Sequence, residues 1–309
     1  MTSSKVKKGI VGLAVVVLAI ITMAFIGSGF SVSASAATHG ASQQHTPGEF
    51  SVERDVAWRT VDDVVLTLDA YVPRGNARDR AAVVLVHGGA WQGGDKQELA
   101  PQGEALAAMG YVAISVSYRL APTHPFPAAI EDVQAAVAWL RSPPQVQHYG
   151  IDPRRIGALG GSAGGHLAAM LGTLGRGPLD SDTRVAAVVT WSALTDLNTV
   201  PAPGFGTELY GCASSACPDI AAAASPITYV DASDAPMLLV NATDDPITHL
   251  DQATEMNSRL QHAGVDHELL VVPGTGHSTE LAPAAWNETV KYLEDHLAPR
   301  HGSGRQPRR

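Results

Sequence analysis

The chain has 309 residues, 45 % of them hydrophobic and 17 % charged, too apolar for a disordered polymer and long enough for one α/β domain of about 250 residues. Twenty-one Lys and Arg face thirty Asp and Glu, a net charge of −9, and seven positive charges sit at the two ends (Lys5, Lys7, Lys8, Arg300, Arg305, Arg308 and Arg309). Taking those seven away leaves −16 on the body, which repels phosphate backbones and excludes nucleic acid as a partner, while two cysteines exclude a disulfide-dense scaffold or a multi-Cys zinc module.

Residues 1–8 carry three lysines, followed by an uncharged stretch from Gly9 to Phe30 and by Ala34-Ser35-Ala36, which offers small residues at the −3 and −1 positions of a cleavage site. Basic, apolar and small residues in that order describe a secretory signal peptide over residues 1–36. The apolar stretch is longer than the usual signal core, so an uncleaved membrane anchor is the alternative. Either way, lysines ahead of it keep the N-terminus inside and place the body outside. Small polar residues over 37–49 read as a linker, and 299–309 as a frayed basic tail.

Phe50 to Arg59 and Val64 to Val72 read as two antiparallel strands joined at Asp62-Asp63. Ala81 to Val86 is a continuous apolar run, as suits a strand covered on both faces. It is followed by His87-Gly88-Gly89-Ala90-Trp91, where paired glycines let the backbone turn and present N–H groups outward. The Gly88 and Gly89 backbone, with the N–H of Ala163, is expected to hold an oxyanion, and the His87 side chain to be structural. Tyr111 to Tyr118 is the next strand. From Ala128 to Leu140 the apolar residues Ile130, Val133, Val137 and Leu140 make one helical stripe.

Arg155 to Leu159 is a strand and Gly165 to Leu174 a helix. Between them lies Gly160-Gly161-Ser162-Ala163-Gly164, a match to G-x-S-x-G. On a strand-to-helix turn such a serine is thrust into the open, which makes Ser162 the candidate nucleophile. Strands at Val185–Trp191, Met237–Val240 and Glu268–Val272 and helices at Leu250–His262 and Pro283–Leu297 complete the series. Repeated strand–helix units imply a mostly parallel sheet with helices on both faces, and chemistry at the strand C-termini. Between two of these strands, Cys212 and Cys217 are close enough to bridge in an exported protein and clip their loop.

A nucleophilic serine needs a base, and position must choose among 12 histidines. His277 follows the last strand in Pro273-Gly-Thr-Gly-His277, whereas His262, His267 and His296 lie on regular elements and read as solvated. The acid should fall between serine and histidine in the chain. Asp244 and Asp245 both satisfy that order after the Met237–Val240 strand, and Asp196 is a third choice.

His87-Gly-Gly-Ala-Trp91, Gly93-Gly-Asp-Lys96, Tyr118-Arg-Leu-Ala-Pro122, Gly150-Ile-Asp-Pro153 and Gly161-Ser-Ala-Gly-Gly-His166 stand in this order. The set resembles α/β-hydrolase-fold esterases and lipases, most closely bacterial carboxylesterases related to hormone-sensitive lipase and to feruloyl- and acetyl-xylan-esterase-like hydrolases. The likeness runs from Phe50 to Leu297 and implies an α/β-hydrolase catalytic domain over 50–298. By position it implies Ser162 as nucleophile, His277 as base and Asp245 as the acid, since Asn241-Ala-Thr-Asp-Asp-Pro246 matches the family's Gly-Thr-x-Asp-Pro segment. Gly88, Gly89 and Ala163 match its oxyanion donors. Ala90 departs from a third glycine, and Gly161 from an aspartate common before the serine in the lipase-like members.

The function expected is that of a secreted serine carboxylesterase acting on small-molecule or polysaccharide-linked esters of short acids, with no metal and no organic cofactor. A peptidase or amidase with the same triad, or a non-catalytic binding module at the envelope, are the alternatives.

Overall fold

The computed structural model describes residues 48–299 apart from 181 and 200–205, so the expected signal segment, most of the linker and nearly all of the tail lie outside it. Eight strands form one sheet, β1 (Phe50–Val61), β2 (Val64–Pro73), β3 (Arg80–Val86), β4 (Val112–Val116), β5 (Ile151–Gly161), β6 (Ala187–Trp191), β7 (Met237–Ala242) and β8 (His267–Val272). Their spatial order is β1-β2-β4-β3-β5-β6-β7-β8. β1 pairs β2, and β2 pairs β4, antiparallel. All the other neighbours are parallel. The first hairpin turns at Asp62 and Asp63, both with positive φ (49° and 61°), the geometry that a two-residue turn requires.

The helices are α1 (Ala100–Ala108), α2 (Ala128–Arg141), α3 (Pro143–Tyr149), α4 (Ala163–Leu174), α5 (Thr207–Tyr210), α6 (Pro218–Ala223), α7 (Leu250–Ala263) and α8 (Ala282–Leu297). The period of two along β3 sorts its side chains onto two cores. Ala82, Val84 and Val86 join the residues of α2, α4 and α7 on one face. Val83 and Leu85 join α1 and α8 on the other. That is why the strand reads as an unbroken apolar run: neither face meets water. Among the described residues no helix is long and apolar enough to cross a membrane.

The strand order also fixes where a site can form. From β3 the chain passes to β4 on one side, and it then returns to β5 on the other. At such a switch point the loops leaving neighbouring strands diverge and open a crevice at their C-terminal ends. Val86 of β3 is registered with Gly160 of β5, so the Gly88-Gly89 loop and the Ser162 turn emerge side by side.

Several helices that the sequence reading passed over are present. α1 starts with a proline in its first turn and carries little apolar stripe, while α5 and α6 are one or two turns long. Cys212 and Cys217 form a disulfide between the last two. Its ring is short, worth about 2 kcal/mol in the chain-entropy account.

Candidate active site

Ser162 has φ 54° and ψ −123°, a strained conformation for a residue with a side chain. Its N–H donates to the Trp191 carbonyl at 2.8 Å and its carbonyl accepts from His166 N–H at 2.9 Å, so both sides of the turn are fixed. The glycines around it are required by space. A Cβ on Gly160 would collide with the backbone of Gly164, and one on Gly164 with the carbonyl of Val86. The G-x-S-x-G spacing therefore lets the end of β5 fold back onto α4 while α4 abuts β3.

His277 lies just beyond β8. Its ring Nδ1 is 2.8 Å from Asp245 Oδ2 and 3.1 Å from Oδ1. A carboxylate only accepts, so Nδ1 carries the proton and Nε2 keeps its lone pair. Asp245 Oδ1 also accepts from the N–H groups of Ile247 and Thr248, at 2.9 and 3.0 Å. Burial pushes its carboxyl up, but the hydrogen bonds from Thr248, His277, Ile247 and Ser192 together hold it below the ordinary aspartate value. Of the three acids that chain order left open, Asp245 alone meets His277. Asp244 takes the Thr243 hydroxyl and is exposed. Asp196 closes a local turn onto Asn198.

The histidine loop is brought to the serine by a close fit. The position of a Cβ on Gly161 is already filled by the Ser278 hydroxyl. This explains why the residue before Ser162 is glycine here: a larger one would push away the loop that carries His277. Ser278 is itself held by its N–H, which donates to Ser192 Oγ at 3.1 Å. Ser192, buried and with φ 53°, thus ties the His277 loop and the Asp245 carboxylate to the end of β6. Sequence reading missed it, although its place one residue past a parallel strand was a usable signal.

The loop after β3 is held by aromatic residues. His87 is buried, stacks on Tyr118 with ring centroids 4.4 Å apart, and donates Nδ1–H to the Gly88 carbonyl at 2.8 Å. The Tyr118 hydroxyl donates to the His87 carbonyl at 3.0 Å. His87 is structural, as expected, and burial lowers its pKa. Buried Trp91 donates to His166 Nδ1 at 3.1 Å, and His166 donates Nε2–H to the Ala224 carbonyl at 2.6 Å. Burial pushes the His166 pKa down to about 4, so the ring stays neutral and acts as a fixed strut between the loop, α4 and the segment after α6.

Gly88 stands against the serine: the place of its missing Cβ is 3.3 Å from Ser162 Cβ. Gly89 has φ 104°, and its missing Cβ would strike the Gly93 carbonyl group. Ala163 supplies the first N–H of α4, a position with no partner within the helix. The three expected anion donors therefore belong to two adjoining backbone segments. Of the histidines read as solvated, His262 is exposed. His267 and His296 are half-buried, His296 because it stacks on Tyr292 and faces Asp266.

Among the described residues there is no group of three or more His, Cys, Asp or Glu placed to hold a metal. A cavity of about 240 Å³ lined by Asp152, Arg154, Arg155 and His296, and a larger one of about 440 Å³ beside Pro73 and Arg74, include none of Ser162, Asp245 and His277, so the chemistry rather than cavity size picks out the site.

With this geometry in hand, comparison with known proteins is informative. The BD-FAE family model matches residues 68–260. Esterase LipC of Mycobacterium tuberculosis is 40 % identical over 140 residues, covering 41 % of this chain and 34 % of its own. Carboxylesterase NlhH of the same species is 37 % identical over 139 residues, 43 % of each chain. These curated relatives are thus matched over less than half of their own length. Among solved structures, the propionate-bound thermophilic esterase Est2 of Thermogutta terrifontis superposes with a TM-score of 0.65 at 25 % identity, over 82 % of this chain and 96 % of that one.

Proposed function

The chain belongs to the BD-FAE family and has the α/β-hydrolase fold, and from that premise we propose that it is a serine carboxylesterase that hydrolyses esters of short acids through an acyl-enzyme. One observation carries the reading. A serine at φ 54° on a strand-to-helix turn abuts, through the Gly161–Ser278 contact, a histidine whose Nδ1 is 2.8 Å from a buried carboxylate.

In this mechanism His277 Nε2 takes the Ser162 proton as Oγ attacks the ester carbonyl. Asp245 keeps the ring in the tautomer that leaves Nε2 basic, and it stabilises the imidazolium that forms. The negative charge on the former carbonyl oxygen is met by the N–H groups of Gly89 and Ala163, each such donor being worth about 3 kcal/mol, while the Gly88 N–H, the third donor expected from the sequence, faces the Glu98 carboxylate. His277 then gives its proton to the departing alcohol. Water, deprotonated by the same histidine, releases the acid and restores Ser162. No step calls for a metal or an organic cofactor.

The propionate in the Thermogutta terrifontis structure supports short acyl chains. Export is part of the reading, supported by Lys5, Lys7 and Lys8 ahead of the uncharged Gly9–Phe30 stretch and by the disulfide, which fits an oxidising compartment. The test is turnover of p-nitrophenyl esters from acetyl to palmitoyl by the wild type and Ser162→Ala. Turnover that falls with chain length and vanishes in the variant is the expected result. Equal activity in both proteins would overturn the mechanism.

A further inference from the structure

The three residues of the triad hang from three strand ends, and the histidine stands at the edge. β8 is the last strand of the sheet and pairs with β7. The segment that follows it is tied to the end of β7. Asp244 N–H donates to the Gly274 carbonyl at 2.9 Å, Gly274 N–H to Thr243 Oγ1 at 3.0 Å, and His277 Nδ1–H to Asp245. Those bonds set the base against its acid. They do not set its distance from Ser162, which hangs from β5, with β6 and β7 between it and the edge.

Among the described residues, one hydrogen bond from this segment reaches past β7. Ser278 N–H, the residue after the base, donates to Ser192 Oγ at 3.1 Å. Ser192 follows Trp191, whose carbonyl accepts the Ser162 N–H at 2.8 Å, and its own N–H donates to the Val240 carbonyl of β7 at 2.8 Å. The dipeptide Trp191–Ser192 therefore grips the serine turn, the strand that leads to the acid, and the neighbour of the base. Ser192 is fully buried at φ 53°, a conformation that a side chain keeps only where its surroundings fix it. Ser278 is buried as well, so without that oxygen its N–H has no water to turn to and must find another partner.

Resting on the esterase reading, we propose that Ser192 is a positioning residue that sets the spacing between nucleophile and base: its hydroxyl oxygen carries the register of the serine turn, through the Trp191 carbonyl, to the residue after His277. A shift of the base by about 1 Å costs about a hundredfold in rate, so this one acceptor has leverage on turnover without touching substrate.

The experiment measures p-nitrophenyl acetate hydrolysis by the wild type, Ser192→Ala, Ser192→Gly, Gly161→Ala and Gly161→Ala/Ser192→Ala. Alanine removes the hydroxyl and keeps a Cβ at the positive φ, whereas glycine removes it and frees φ. Both are expected to lower kcat by about tenfold to a hundredfold, with KM held within about twofold. The double variant gives a readout that a merely structural role would not move. Once the Ser278 N–H is released, Ser278 can retreat from a methyl group at position 161. Gly161→Ala should then cost less than about fivefold in the Ser192→Ala background, against about a hundredfold in the wild type. Wild-type kcat in Ser192→Ala, a loss confined to KM, or losses that simply multiply in the double variant overturn the proposal. So does wild-type kcat in Ser192→Gly, because backbone strain rather than the missing hydroxyl would then explain the alanine variant. A wild type silent on the ester would count against the esterase reading instead. In that case hydrogen exchange of the segment 273–281 reads the tie without turnover: faster exchange in Ser192→Ala is the expected result, and exchange equal to the wild type overturns the proposal.

Discussion

Gly161→Ala tests how the serine and histidine segments are fitted together. The new methyl group would fall on the Ser278 hydroxyl, far inside van der Waals contact, and 3.3 Å from Ser278 Cβ. Ser278 is poorly placed to retreat, because it is buried, has φ 53° and donates its N–H to Ser192. The strain passes to His277, one residue away. Overpacking of this kind costs about 1–3 kcal/mol. In a domain of this size about 2 kcal/mol lowers Tm by about 4–8 °C. Displacing a catalytic base by about 1 Å costs about a hundredfold in rate, which is the expected fall in kcat/KM. Ser278→Ala removes the clashing oxygen, and that oxygen has no hydrogen-bond partner among the described residues. The single Ser278→Ala variant should be close to wild type, and Gly161→Ala/Ser278→Ala should recover most of the lost activity. Esterase kinetics and thermal melts on the four proteins decide the matter. Full activity in Gly161→Ala, or a double variant no better than the single, would refute the coupling.

Three further outcomes follow from the same contacts. Asp245→Asn offers His277 a donor where it needs an acceptor, turning the ring to the wrong tautomer, and kcat should fall by about four orders of magnitude with the melt little changed. Asp234 is pushed up to about 6, chiefly by burial. Its folded value exceeds the unfolded one, so its contribution is fully present below about pH 4 and is lost as the pH rises through about 6. Asp234→Asn should therefore raise stability at pH 7.5 by about 2–3 kcal/mol and leave it unchanged at pH 3.5, read by denaturant melts at the two values. Replacing Cys212 and Cys217 together by serine should cost about 2 kcal/mol, lowering Tm by about 4–8 °C.

What the sequence made legible was whatever has a short-range physical cause. Ala81 to Val86 had to be a strand covered on both faces, because six consecutive apolar residues leave no side for water, and the two cores confirm it. The Asp62-Asp63 turn, α2, α7 and α8 were legible because turn chemistry and helical periodicity are local. α1 was not, since its burial comes from packing against β2 and β4 rather than from a stripe of its own. Asp244, Asp245 and Asp196 could not be told apart by chain order. Only the fold shows that Asp245 meets His277 while Asp196 spends its carboxylate on Asn198.

The same limit explains the residues around the serine that motif reading passed over. G-x-S-x-G describes one turn, but the site is assembled from the ends of β3, β5, β6, β7 and β8, and contacts between those ends have no signature in any one of them. Ser192 belongs to the β6 end yet acts on the loops after β7 and β8. Glu98 sits on a short turn after β3 beside Gly88, and that loop stands against the serine turn only because β3 and β5 are neighbours. The glycine at 161 shows how the two kinds of information join. As sequence it was a departure from the lipase-like pattern, and as structure it is the space that the Ser278 hydroxyl occupies. A substitution that looks like the loss of a side chain is thus one half of a contact, and its other half lies 117 positions further along the chain.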